Sequence, residues 1–143
     1  MSFKKQRLPT ESFTKPDTYR QTRLPVDQAS TLIPDAYTSD DFFALEQENI
    51  FSNSWVAVGC LPQVSKQGDI LVTEVAGRSI LIIRSKEDKL EAFYNVCRHR
   101  GSKLLNESCN IKSIRCPYHA WVYGLDGKCI VTPMFQNENI QGK

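Results

Sequence analysis

The sequence predicts an all-β fold, an antiparallel sandwich or small barrel, preceded by an extended arm and one short helix. Three observations carry that expectation. From Ser54 onward the apolar residues repeat with a period of two, in short runs rich in β-branched and aromatic side chains. Turn signals such as Gly68-Asp69, Ala76-Gly77-Arg78, Lys86-Glu87-Asp88-Lys89 and Asp126-Gly127 separate those runs. Ahead of them, a proline-spaced segment and a single stretch of helical periodicity occupy the first third of the chain.

Residues 1–36 carry Pro9, Pro16, Pro25 and Pro34 among alternating charges and few apolar residues, the composition of an extended arm. Helical spacing begins in TSDDFFALEQENIF. Thr38 or Ser39 is placed to cap, Asp40 and Asp41 fall where the helix dipole favours carboxylates, and Phe42, Leu45 and Asn49 follow with Phe43, Glu46 and Ile50. A helix of about three turns is expected within residues 37–52. Seven strands are then expected within 53–135, from SWVAVGC, DILVTEV, SILIIR, LEAFYNV, IKSIR, WVYGL and KCIVT. Residues 136–143 are read as a tail.

Composition bounds the function. With 143 residues, 41% of them hydrophobic and 24% charged, the chain suits one globular domain with an adequate core. No apolar run approaches membrane-spanning length, so no membrane partner is expected. A formal charge of +2, without a basic run interleaved with aromatics, argues against nucleic acid. The N-terminus has no apolar core of a secretory signal, and Glu11, Asp17 and Asp27 interrupt its basic residues, so a cytoplasmic location is expected.

The chemistry concentrates in CRHRGSKLLNESCNIKSIRCPYH, residues 97–119, which holds both histidines of the chain. Cys97 and His99 form one pair; sixteen residues later Cys116 and His119 form another. A [2Fe-2S] cluster with two thiolates on one iron and two imidazoles on the other would take one ligand of each kind from each pair. Replacing two thiolates by neutral imidazoles makes that iron easier to reduce, and the product is a one-electron carrier. A zinc-stabilised interaction module is the alternative from another class, although structural zinc patterns pair like ligands rather than mixing them. Five cysteines, an odd number, do not suit a disulfide framework, and Cys60, Cys109 and Cys129 read as small buried residues.

CRHRG at 97–101 and CPYHAW at 116–121 resemble the two cluster-binding loops of Rieske [2Fe-2S] proteins, most closely the oxygenase branch, over roughly residues 37–135. The resemblance implies a sandwich or barrel carrying a small rubredoxin-like cluster-binding subdomain. It also implies a second layer of Arg100, Gly101, Tyr118, Trp121 and Tyr123 around the four ligands. The respiratory branch has an extra cysteine in each loop; here Ser102 and Tyr118 stand there, so no loop disulfide is expected. That branch's sulfide-bonding serine falls at Trp121, an indole donor of different reach, while Tyr123 keeps a phenol in the following strand. Fewer hydrogen bonds to the cluster imply a potential toward the low end of the Rieske range, roughly −150 mV.

Residues 44–63 resemble the lead-in of large subunits of aromatic-ring-hydroxylating dioxygenases and of choline or carnitine monooxygenase-like enzymes, through Glu46 or Glu48, Ile50, Phe51, Trp55, Val58 and Gly59. The implied partners are an electron-donating reductase or ferredoxin and a catalytic oxygenase domain, in that family on a neighbouring subunit of a homo-oligomer. Arg98, Arg100, Lys103, Lys112 and Arg115 around the ligands read either as a solvated rim or as a basic collar for an acidic donor. The catalytic domain's mononuclear Fe(II) needs two further histidines and a carboxylate, and both histidines here are committed to the cluster pairs. The expectation is therefore the Rieske portion of an oxygenase large subunit without its catalytic domain, with a stand-alone Rieske ferredoxin as the alternative carrier.

Overall fold

Alternating DILVTEV and RSILIIRSK make the two longest strands because each can bury one face while its neighbour takes the backbone hydrogen bonds. The computed structural model describes residues 8–86 and 89–133, in two compact units divided after Trp55. The first seven residues of the expected arm, the centre of the Lys86–Lys89 turn and the 136–143 tail lie outside the described residues.

In the first unit, residues 8–39 contain no strand or α-helix, as an arm would, but short 3-10 turns punctuate them at Thr10–Ser12, Pro16–Tyr19 and Pro34–Tyr37. Pro16 and Pro34 open two of these turns, where a missing N–H costs nothing. Helix α1, Asp40–Glu46, is capped by Ser39, whose Oγ accepts from the Phe42 N–H at 3.3 Å, with Asp40 and Asp41 in its first turn. A π-helical turn, Gln47–Phe51, extends it. The arm packs on this helix through an edge-to-face contact of Phe13 with Phe42 at 5.3 Å and a 2.7 Å hydrogen bond from the Thr10 hydroxyl to Asp41.

The second unit holds two antiparallel sheets. Strands β1 (Asp69–Val75), β2 (Arg78–Lys86), β3 (Lys89–Tyr94) and β4 (Cys109–Asn110) form the first, in the order β3-β2-β1-β4. Ala76 and Gly77, with φ of 50° and 70°, make the two-residue turn whose twist suits the β1–β2 hairpin. Strands β5 (Ile114–Arg115), β6 (Val122–Tyr123) and β7 (Cys129–Val131) form the second sheet in chain order. Ile70, Leu81, Ile83, Leu104 and Ile114 share one core with Cys97, Cys116, Trp121, Tyr123 and Cys129, so the apolar centre of the fold also seats the cysteine-bearing loops.

Two expectations need correction. SWVAVGC, expected as a strand, is irregular: residues 55–60 pair with nothing among the described strands and run into the Leu61–Val64 3-10 turn. A period of two makes a strand only where a neighbouring backbone accepts it. Cys60 is exposed and Cys109 half-buried; of the three cysteines expected as buried, Cys129 alone is so.

Strand β4 is held to β1 by side chains as well as by its ladder. Asp69 lies opposite Asn110, whose Nδ2 donates to Oδ1 at 2.8 Å, and the Lys66 N–H donates to Oδ2 at 2.7 Å. The Asn110 bond and then the Lys66 bond hold the Asp69 carboxyl below its usual value. A carboxyl depressed in the folded state stabilises the fold above its unfolded pKa, and that stability is lost as pH falls through the folded pKa. The denaturant midpoint should therefore drop on acidification through and below the ordinary carboxylate range. Asp69→Asn should flatten that dependence, and an unchanged pH profile in this variant would show that the contact contributes nothing.

Candidate metal centre

Two loops carry the candidate residues, and they share one backbone frame. In the first, the Cys97 N–H donates to the Ser102 carbonyl at 2.8 Å and the Gly101 N–H donates back to the Cys97 carbonyl at 3.0 Å. In the second, the Cys116 N–H donates to the Trp121 carbonyl at 2.8 Å and the Ala120 N–H to the Cys116 carbonyl at 3.1 Å. The fourth residue after each cysteine is left-handed, Gly101 at φ 69° and Ala120 at φ 58°. Glycine adopts that conformation freely; alanine at φ 58° carries a cost that the closed frame imposes. On these matched frames the histidine sits two residues after Cys97 but three after Cys116.

The loops bring the side chains together in pairs, cysteine with cysteine in the core and histidine with histidine beside it. Cys97 and Cys116 are both buried in the same core, each 2% exposed. The rings of His99 and His119 meet edge to face with centroids 4.7 Å apart, half-buried, with Nδ1 buried in both. Nδ1 of His119 has no hydrogen-bond partner among the described residues, the condition of a nitrogen turned toward a metal rather than toward protein. Paired soft thiols beside paired imidazoles fit a [2Fe-2S] cluster with mixed ligation. Among the described residues no three Cys, His, Asp or Glu side chains form a group that could hold a single metal ion.

Electrostatics favour the ligating protonation states. Burial raises the Cys116 thiol, but the His119 and Tyr118 N–H groups, the Cys97 thiol and the Ser102 hydroxyl outweigh it and hold Cys116 below its ordinary value. Burial, then His119, then Arg100 push His99 down, toward the neutral imidazole that binds metal. Burial, then the bond to Cys97, push the Tyr123 phenol well up, so it stays a donor.

The expected second layer divides by role. Tyr123 is buried, its hydroxyl 3.1 Å from the Cys97 sulfur and accepting from the Arg98 N–H at 3.0 Å. Trp121 is buried, and its ring lies flat on that of His99, centroids 4.8 Å apart and 5° from parallel, so it fixes the imidazole by packing. Tyr118 is exposed and leans on His119 with centroids 3.8 Å apart. Arg100 is exposed and acts on His99 through charge, while Gly101 supplies the left-handed turn. All five cysteines are free, so no disulfide joins the loops. Arg98, Arg100, Lys103, Lys112 and Arg115 are all exposed, and among the described residues none is ion-paired.

Comparison with known proteins matches residues 54–140 to the Rieske [2Fe-2S] domain. The carnitine monooxygenase oxygenase subunit of Acinetobacter baumannii is 43% identical over 110 residues, 72% of this chain and 30% of that protein. Benzene 1,2-dioxygenase subunit alpha of Pseudomonas putida is 32% identical over 108 residues, 75% of this chain and 24% of that one. The crystal structure of the quaternary ammonium Rieske monooxygenase CntA with L-carnitine superposes with a TM-score of 0.71 at 34% identity, over 95% of this chain and 37% of that chain. The chain thus spans less than a third of the length of these curated relatives.

Proposed function

The chain belongs to the Rieske [2Fe-2S] domain family, among its oxygenase members, and we propose that Cys97 and Cys116 bind one iron of the cluster and His99 and His119 the other. The observation that carries this assignment is the pair of matched loops that set two thiols together in the core and two imidazoles together at its edge. When bound, such a cluster accepts and releases one electron at a time. Residues 53–135 hold this function, with the 37–52 helix as lead-in and 1–36 as arm.

The protein's own groups divide the remaining work. The core around Cys97 and Cys116 excludes water from the thiolate side. Tyr123 donates toward the Cys97 sulfur and stabilises the added negative charge of the reduced state. Half-buried His99 and His119 form the short path to the surface, where the exposed collar of Arg98, Arg100, Lys103, Lys112 and Arg115 suits an acidic reductase or ferredoxin.

The electron's destination is a mononuclear iron. Its facial triad requires two histidines and a carboxylate. Both histidines of these 143 residues are in the cluster loops, so that iron belongs to a catalytic domain or neighbouring subunit outside them. Identity of 43% to a carnitine monooxygenase subunit, against 32% to a benzene dioxygenase subunit, favours oxidation of a quaternary ammonium substrate over ring hydroxylation.

Anaerobic purification, metal analysis, visible absorption and low-temperature EPR before and after dithionite test the proposal together. It expects a red-brown chain with two irons and, on reduction, a rhombic signal of mixed Cys/His ligation; a colourless chain with stoichiometric zinc would overturn it. Tyr123→Phe should keep the cluster and lower its potential. A hydrogen bond to a charged group is worth about 1.5–3 kcal/mol, so the part of it gained only on reduction lowers the potential by at most on the order of 60–130 mV when it is lost. An unchanged potential would remove Tyr123 from the account.

A further inference from the structure

The two loops differ in what holds their bases. The second is closed by strand pairing: Arg115 and Val122, immediately outside its frame, are ladder partners of β5 and β6. The first has no ladder there. Its entry follows β3, which among the described strands pairs with β2 alone, and its exit through Lys103, Leu104 and Leu105 lies in no strand.

One side chain occupies the place of the missing ladder. Asn95 is 4% exposed and sits two residues before Cys97. Its Oδ1 accepts from the N–H groups of Leu104 at 3.1 Å and Leu105 at 2.9 Å, and its Nδ2 donates to the Leu105 carbonyl at 2.6 Å and to Ser79 Oγ at 3.1 Å. Its backbone N–H donates to the Ser79 carbonyl at 2.9 Å. A carboxamide has two N–H donors and an oxygen with two lone pairs, and here every one is used. Both ends of the first ligand loop are thereby tied to each other and to the start of β2.

We propose that Asn95 is a positioning residue for the cluster, acting through Cys97 and His99 by clamping the base of their loop as the β5–β6 ladder clamps the other. This rests on the ligand assignment above. A carboxylate cannot replace the amide: Asp would set an acceptor against the Leu105 carbonyl inside the core, and Gln would carry the amide one methylene too far.

The test compares the full chain with Asn95→Asp and Ser79→Ala, each purified anaerobically, by iron content, EPR of the reduced form and peptide-level hydrogen exchange. Asn95→Asp should lose at least half its iron, shift or broaden the remaining rhombic signal, and speed exchange over residues 97–105 by about tenfold or more, as expected when buried hydrogen bonds are unmade. Exchange over β1 and over β5–β7 should stay unchanged. Wild-type iron content and g-values in Asn95→Asp, or an equal rise in exchange across all strands, would overturn the proposal. If Asn95→Asp yields no folded chain, Ser79→Ala decides, since it removes one of the four side-chain bonds. A rise in exchange confined to 97–105 supports the clamp, and either no rise or a rise spread through β1 overturns it. An iron-free wild-type chain sinks the ligand assignment, whereas an iron-loaded wild type matched by Asn95→Asp sinks only the clamp.

Discussion

In the proposed ligation two short loops deliver four ligands to two irons, and the architecture of the second unit suits that constraint. Each loop is closed on itself by a pair of backbone hydrogen bonds and a left-handed fourth residue, so each cysteine is held at the base of a rigid frame. The frames are matched while the histidine offsets are not. That mismatch lets the sulfurs meet in the core while the imidazoles meet beside each other at its edge. Ala120, held left-handed where glycine would be at ease, shows that closure of the frame outweighs local backbone preference.

Packing and polarity meet at this end of the fold. The core that stabilises the two sheets also buries Cys97, Cys116, Trp121 and Tyr123, so stability and cofactor seating draw on the same side chains. Within it, polar groups have defined uses: the Tyr123 phenol faces a sulfur, the Tyr118 and His119 amides face the other, and the Asn95 carboxamide spends its whole hydrogen-bonding capacity on the loop base. Outside it, Arg98, Arg100, Lys103, Lys112 and Arg115 are exposed and, among the described residues, not ion-paired, so they add little to the stability of the domain.

The four candidate ligands were legible in the sequence because both histidines of the chain stand beside cysteines at mixed spacings, a pattern few other sites share. Strands β1 to β3 were legible because long alternating runs find partners through short turns. SWVAVGC alternates equally well and is irregular, because pairing depends on neighbours that periodicity does not record. Strand β4, two residues of Cys-Asn, has no period to read; its position is set by Asp69 and Asn110 across the ladder. The indole of Trp121 could be read as a donor from its type alone, while its stacking on His99 depends on the fold. Asn95 was hidden at the end of LEAFYNV as one more strand residue. An asparagine at a strand end two residues before a candidate ligand cysteine is the signal that could have found it.

The central claim is that both imidazoles of this chain belong to one redox centre. Because the chain has only two histidines, labelling it with 15N-histidine and recording ENDOR on the dithionite-reduced protein tests that claim without mutation. The account predicts two inequivalent, strongly coupled histidine nitrogens on the reduced cluster. One coupled nitrogen, or none, would contradict it.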